Sequence, residues 1–231
     1  SKNVVTFGII SDGHIGNKCY DSQLMDLAAK EFNSRKVDFV VHAGDVCDGL
    51  YTNRPGHIYE LNHIGADAQA TEAIKELSKI KRPLYFITGN HEWNTFYKNA
   101  GYDIGTTIAD KVKDSVYLGN ADGEINIKNN TKIKLLHPDG GTAYAISYKS
   151  QKIAESLEGG TKPGVLVIGH FHKAEYIFYR NIHIIQAGTL ESQTPFMKGK
   201  HLSAHKGFWI VTMNTSERGV DRIVPEFYPA Y

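Results

Sequence analysis

Asp12 and His14, two residues apart, open a series of oxygen and nitrogen donors that recurs along the chain. Asp45 follows, then Asn90 beside His91, then His137, then His170 and His172, again two apart. Side chains two apart in an extended stretch point the same way, so each such pair can serve one centre. Taken singly, Asp and Asn are ordinary turn residues. Taken together, Asp12, His14, Asp45, Asn90, His137, His170 and His172 are seven donors, and one divalent ion takes only about four to six ligands. Seven donors with one shared carboxylate fit two ions roughly 3.5–4 Å apart. The mixed O/N set has no thiolate, which suits Mn²⁺, Fe, Zn²⁺ or Ni²⁺ and disfavours a Mg²⁺ or Ca²⁺ cage. Mn²⁺ is the ion expected, and a pair of such ions activates water as a nucleophile.

Each donor group sits just after an apolar run. Val4–Ile10, residues 38–41, 84–87 and 133–136, and Val165–Ile168 are near-continuous hydrophobic stretches, the pattern of strands buried on both faces. Ser22–Ser34 carries Leu24, Leu27, Ala28 and Phe32 at helical spacing, and residues 65–80 carry Ala66, Ala70, Ala73, Ile74 and Leu77. The N-terminal half therefore reads βαβαβ with parallel strands, whose carboxyl ends are where ligands collect in open α/β sheets. Gly44, Gly89 and Gly169 each precede a donor, where close backbone approach favours a residue without Cβ. The C-terminal half has shorter strand-like pieces at residues 116–118, 124–127, Ala174–Tyr179, 182–185, 207–213 and 220–228, with one helix near 144–157 and a hairpin turn at Arg180-Asn181. A second, mixed sheet packed on the first is expected.

At 231 residues, 41% hydrophobic and 22% charged, the chain can bury a core as one domain spanning 1–231, which excludes a disordered or fibrous protein. Its longest apolar runs fall far short of the roughly 20 residues that span a bilayer. No leader pattern precedes Val4–Ile10, and Cys19 and Cys47 read as reduced thiols, so a cytoplasmic location is expected. A net charge of +1 exerts no global pull on nucleic acid, so binding of that kind needs a local patch.

Asp12-Gly-His14, Gly44-Asp45-Val-Cys-Asp48-Gly49, Gly89-Asn90-His91-Glu92, His137 and Gly169-His170-Phe-His172 follow in order the five motifs of calcineurin-like metallophosphoesterases. The chain resembles that family from Phe7 to about Gly188. In His137-Pro-Asp-Gly-Gly followed by Ala-Tyr-Ala it is also similar to short stand-alone phosphoesterases of phages and prokaryotes. The resemblance implies an α/β fold, a four-layer αββα sandwich of two mixed sheets, around a dinuclear metal centre. It implies that Asp12, His14 and His172 hold one ion, that Asn90, His137 and His170 hold the other, and that Asp45 bridges. It also implies that His91 is a catalytic residue that contacts the phosphate or protonates the leaving group, and its ordinary pKa near neutrality suits that role. A hydrogen-bonding role is the alternative for His91.

Asp48 and Asp139 read as carboxylates that orient ligating histidines, or as turn residues. His42, His57, His63, His183, His201 and His205 match no motif and read as surface or packed histidines, and Cys47 as packing. Residues 196–209 place Lys198, Lys200, His201, His205 and Lys206 among Phe196, Phe208 and Trp209, which is either a solvated face or a surface for single-stranded nucleic acid. Arg54 and Lys18 could add positive potential.

The leading expectation is a two-metal phosphodiesterase, a nuclease acting on DNA or RNA. The alternative is a phosphomonoesterase, including a protein phosphatase. Protein phosphatases of this superfamily carry an Arg after the second Asp of the second motif, and this chain has Gly49 there. That weakens the monoesterase reading unless another cation, such as Arg54, substitutes. A non-catalytic interaction subunit would show missing ligands, and none is missing.

Overall fold

The computed structural model describes residues 3–127 and 131–231. The near-continuous apolar runs become strands because both of their faces are covered. In β1 (Val4–Ile10), Phe7 and Ile9 enter one hydrophobic core while Ile10 enters another. Gly8, between them, lies so close to Phe32 that an added Cβ would overlap the ring. Side chains alternate across a strand, so one strand feeds two cores.

The first sheet has the order β11-β10-β1-β2-β3-β4. β2 (Phe39–Ala43), β3 (Leu84–Thr88) and β4 (Ser115–Asn120) continue parallel from β1. β10 (Gly207–Ser216) and β11 (Gly219–Pro229) add antiparallel on the other side. The second sheet has the order β5-β6-β7-β9-β8. In it β6 (Lys132–Leu136), β7 (Val165–Ile168) and β9 (Ile182–Ala187) are parallel, and β5 (Asp122–Asn126) and β8 (Ala174–Tyr179) form antiparallel edges.

Helices α1 (Ser22–Ser34), α2 (Ala66–Leu77) and α3 (Ile104–Lys111) bury Leu24, Phe32, Ala73, Leu77 and Ile108 with residues of the first sheet such as Val40, Leu84 and Phe86. Between the sheets lie Phe7, Val41, Ile87, Ile133, Leu135, Val167 and Ile185. Ala154 of α4 (Ile146–Ser156) packs with Leu166, Ile168 and Ile184 on the far face of the second sheet. These layers form the αββα sandwich, with both sheets mixed.

Several expected boundaries shift. The third strand extends to Thr88, the helix near 65–80 contracts to Ala66–Leu77, and the helix near 144–157 contracts to Ile146–Ser156. The helical stretch after β3 is new. Asn90–Glu92 passes through a π-helical turn at Trp93–Tyr97 and the turn Lys98–Ala100 before Gly101, at φ 64°, breaks the chain ahead of α3. Aromatic and Asn-rich residues in that stretch mask any clean apolar period. The Arg180-Asn181 turn is a two-residue hairpin with φ of 52° and 61°, the left-handed pair that joins twisted antiparallel strands.

Candidate metal centre

Six strand ends converge on one cleft of about 410 Å³. β1 leads into Asp12 and His14, β2 into Asp45 and Asp48, and β3 into Asn90 and His91. β6 leads into His137, β7 into His170 and His172, and β9 into Glu191. Asp12, His14, Asp45, His170 and His172 all have φ between 47° and 76°. Non-glycine residues adopt that region at a cost of order 1–3 kcal/mol each, and it persists where surrounding structure over-determines it. Here the surroundings are tight: a Cβ on Gly44, Gly89 or Gly169 would overlap the His137 ring.

Among the described residues four groups of donors lie close enough to share an ion; besides His14 with Asp45 and His91, and His14 with Asp48 and Glu191, two correspond to the expected ligand sets. Asp12, His14 and His172 form the first, and Asp45, His137 and His170 form the second, each with ligating atoms within 4.8 Å of one another. Asp45 Oδ2 lies 3.0 Å from His137 Nε2 and 3.8 Å from His14 Nε2, so one carboxylate oxygen reaches toward both clusters. Its other oxygen accepts from the His91 backbone N–H at 2.9 Å. Asn90 joins the second cluster through Oδ1, 3.1 Å from His137 Nε2, while its Nδ2 faces the Tyr51 hydroxyl at 3.4 Å.

Two of the ring nitrogens opposite the clusters are tied down, while the buried His172 Nδ1 has no hydrogen-bond partner. His14 Nδ1 donates to Asp48 Oδ1 at 3.1 Å, and His137 Nδ1 donates to the Ala43 carbonyl at 2.8 Å. In a neutral imidazole whose Nδ1 carries the proton, Nε2 is a lone pair. His14 Nε2 then faces His172 Nε2 at 3.1 Å, and His137 Nε2 faces Asn90 Oδ1 and Asp45 Oδ2. At His137 acceptors face acceptors, an arrangement that needs a proton or a cation between them. The donor set therefore fits a dinuclear centre of divalent ions.

Electrostatics tell the same story. Burial works to raise Asp12, yet the charge and hydrogen bond of His172 hold it down at about 2. Asp45 is also buried, and the charges of His137 and His91 keep it well below the usual range. Burial works to lower His137, but the Asp45 carboxylate beside it lifts it to about 9. His91 is likewise raised well above its ordinary value, against burial, by the Asp45 charge and the Asp48 hydrogen bond. His14 and His170 are lowered, chiefly by burial and then by the neighbouring cations His91 and His137.

Asp48 is the hub that positions these rings. Besides His14 it receives Asn17 Nδ2 at 2.9 Å and His57 Nε2 at 3.1 Å, and His91 Nδ1 lies 3.1 Å from its Oδ1. Asp139 differs from expectation: it is exposed on the cleft rim, and the neighbouring Gly140 carbonyl takes His170 Nε2 instead, at 2.6 Å. The bend at Gly140, with φ 95°, brings a backbone carbonyl rather than the Asp139 carboxylate to the ring.

The basic loop is also corrected. Phe208 and Trp209 are buried in the two cores flanking the first sheet, and Lys206 Nζ is held 3.0 Å from Asp21 Oδ2, the residue that caps α1. Lys198 and Lys200 are exposed but do not line the cleft. The two faces of β10 are both covered, so Phe208 and Trp209 turn inward and Phe196 is left as the exposed ring beside Lys198 and Lys200.

Two acids were not anticipated. Glu191, 2% exposed, approaches His14 Nε2 at 4.0 Å through Oε2, and its Oε1 has no hydrogen-bond partner. The signal for it was the same strand-glycine-polar grammar, here Ile182–Ala187 followed by Gly188 and Thr189. Glu92, also buried, accepts from Cys47 N at 2.7 Å and Gly89 N at 2.8 Å, tying the loops after β2 and β3 together. Burial, and then the Asp45 charge, push it up to about 7.

Comparison with known proteins agrees with this geometry. The chain is 25% identical over 235 residues to the DNA polymerase II small subunit of Methanothermobacter thermautotrophicus, an alignment covering 82% of this chain but spanning about half (48%) of that protein. Among solved structures, a novel archaeal phosphodiesterase superposes with a TM-score of 0.53 at 16% identity, covering 97% of this chain and 100% of its own. Vacuolar Protein Sorting 29 from Cryptosporidium parvum gives 0.52 at 15%, over 98% and 99%. At these identities the structural likeness establishes the fold. Among the described residues no helix is long and apolar enough to cross a membrane. Residues 5–205, which carry every candidate ligand, match the calcineurin-like phosphoesterase superfamily domain, and the chain belongs to that superfamily of metallophosphoesterases, hydrolases of phosphoester bonds.

Proposed function

We propose that this protein is a two-metal phosphodiesterase acting on nucleic acid. The observation that carries the metal assignment is the surroundings of His137 Nε2: Asn90 Oδ1 lies 3.1 Å and Asp45 Oδ2 3.0 Å from it, with the other nitrogen of His137 already committed to Ala43. Asp12, His14 and His172 would hold one ion, Asn90, His137 and His170 the other, with Asp45 shared. When bound, such ions provide hydroxide near neutral pH and neutralise phosphoryl oxygens. Mn²⁺ is the ion we favour.

His91 lines the cleft with Nδ1 engaged by Asp48 and Nε2 as its remaining nitrogen. In the metal-free chain the Asp45 charge and the Asp48 hydrogen bond favour its protonated form, and its Nε2 is the nitrogen left to donate to a leaving oxygen. Asp48 holds that proton donor and the His14 ring at once.

The diester preference rests on Gly49. Its φ is 71°, and an added Cβ would overlap Thr95, while Gln69 bonds both its N–H and its carbonyl. No side chain fits where protein phosphatases place an arginine, so the dianionic charge of a monoester meets no cation at that point. The name of the Methanothermobacter relative, a DNA polymerase subunit, favours DNA as the polymer. The test is kcat/KM with Mn²⁺ for bis-p-nitrophenyl phosphate against p-nitrophenyl phosphate, and for labelled DNA and RNA. Preference for the monoester would overturn the diester assignment.

A further inference from the structure

Arg54 stands in the wall of the cleft, its guanidinium carbon 5.4 Å from the Tyr51 ring centroid and 4.8 Å from that of Phe196. Phe196 arrives from a distant part of the chain, on the short helix Pro195–Gly199. Two separate segments thus supply rings to one side chain. Phe196 remains 49% exposed, an aromatic left half in water at the cleft mouth.

Among the described residues lining the cleft, Arg54 is the sole lysine or arginine. Asp45, Asp48, Glu60, Asp139 and Glu191 line the same cleft, yet Arg54 forms no ion pair with any of them. A guanidinium within reach of those carboxylates would pair with them; the two rings hold it short. The two rings crowd the guanidinium, and its N–H groups make no hydrogen bond among the described residues. A guanidinium fixed in this way is pre-organised for bidentate contact with a phosphate.

Arg54 thus has its charge uncommitted in the same cleft as the candidate centre. We propose that Arg54 is a second anion site, gripping the phosphate next to the scissile one. This rests on the phosphodiesterase reading and narrows it: the substrate is a strand carrying at least two phosphates. Tyr51 links the two sites. The ring that supports Arg54 packs edge-on against His91 at 5.0 Å, and its hydroxyl faces Asn90 Nδ2.

The experiment compares kcat/KM for thymidine dinucleotides with and without a terminal phosphate, on the 5′ or 3′ side. The wild type is expected to prefer one phosphorylated form by about tenfold or more, the order of one charge-assisted contact. Arg54→Met keeps length and bulk without charge and should bring that ratio close to one, and Arg54→Lys should recover part of it. For the phosphorylated substrate, kcat/KM should fall less steeply with salt in Arg54→Met than in the wild type, as loss of one charged contact requires; a merely loosened loop would not change that dependence. A wild type that cleaves both forms equally, or an unchanged ratio in Arg54→Met, overturns the Arg54 site alone. Cleavage of p-nitrophenyl phosphate with neither dinucleotide touched overturns the phosphodiesterase reading, and the second site with it.

Discussion

Loading the second cluster with metal should release a proton, and the structure says which one. His137 Nε2 must be a bare lone pair to ligate, but in the metal-free chain the Asp45 carboxylate 3.0 Å away holds this histidine at about 9. At pH 7.5 that leaves His137 about 97% protonated, 1.5 units below its pKa. Asp12 at about 2 and Asp45 well below the usual range are already ionised, and His14 and His170 are lowered, so none of these has a proton to give at that pH. Binding at Asn90, His137 and His170 should therefore release close to one proton. Affinity of that ion should rise about tenfold per pH unit from pH 7 toward 9 and then level off, a gain of about 1.4 kcal/mol per unit. Titration calorimetry with Mn²⁺ or Zn²⁺ in buffers of different protonation enthalpy counts the proton directly. Affinity for the second ion that does not change between pH 7 and 8.5, with no buffer-dependent heat, would refute the reasoning. The same pKa shift has a stability consequence of definite sign. A histidine raised in the folded state stabilises the metal-free protein fully below about 6.5, and that contribution disappears as pH rises through about 9. Glu92, raised to about 7, acts in the same direction between about 4.5 and 7. The metal-free protein should lose Tm from pH 6 to 9 while the metal-loaded protein, in which a cation replaces the His137 proton, loses much less.

Other perturbations separate the roles of neighbouring residues. His91→Ala should keep both metals and lose about 10²–10⁴-fold in kcat, with a smaller loss for a p-nitrophenol leaving group; a parallel fall in metal content would make His91 a ligand instead. Asp48→Asn removes the negative charge and one of the two acceptor oxygens facing His14, His57 and His91, and metal affinity should drop about 10–100-fold by metal analysis after dialysis, the usual scale for a carboxylate behind a ligating histidine. Asp45→Asn should reduce occupancy at both positions, whereas full metal content and activity would remove its bridging role. Gly49→Ala should destabilise by about 1–3 kcal/mol in urea unfolding, since it adds strain at φ 71° and overlap with Thr95; a neutral change would show the position has room for a phosphatase-like side chain.

The parallel strands could be read in advance because burial on both faces writes itself as unbroken apolar runs, as in Val165–Ile168, and because each run ended at a donor. The Arg180-Asn181 turn was readable for a local reason, since Asn tolerates left-handed backbone. Glu191 was not. It follows β9 with the same grammar as the other donors, but a single glutamate among many carries no spacing signal, and only the neighbouring strand ends make it part of the cleft. Lys206 and Trp209 show the opposite error. Composition grouped them with exposed cations and rings, while a strand boundary at Gly207 turned Phe208 and Trp209 into the cores and Asp21 claimed the lysine.

The strain at the candidate ligands has a structural counterpart in Glu92. Five donors hold left-handed backbone angles, a cost that must be offset by contacts that permit no relaxed alternative. Glu92 provides one such contact, since its two oxygens bind N–H groups on two different ligand-bearing loops, at Cys47 and Gly89. The price is a buried acid next to the Asp45 charge, visible in its pKa of about 7. A bound cation pair would lower that cost, because positive charge beside Asp45 stabilises ionised Glu92 as well. Metal binding should therefore lower the Glu92 pKa and tighten the two loops together. Glu92→Gln offers a direct check, since its amide can accept at one loop N–H but presents a donor to the other. It should leave the strands intact, loosen residues 44–49 and 89–91, and weaken both metals. Protection of the Cys47 and Gly89 amides from hydrogen exchange, measured with and without metal, reads the effect; equal protection in the variant and the wild type would show that the loops are held without Glu92.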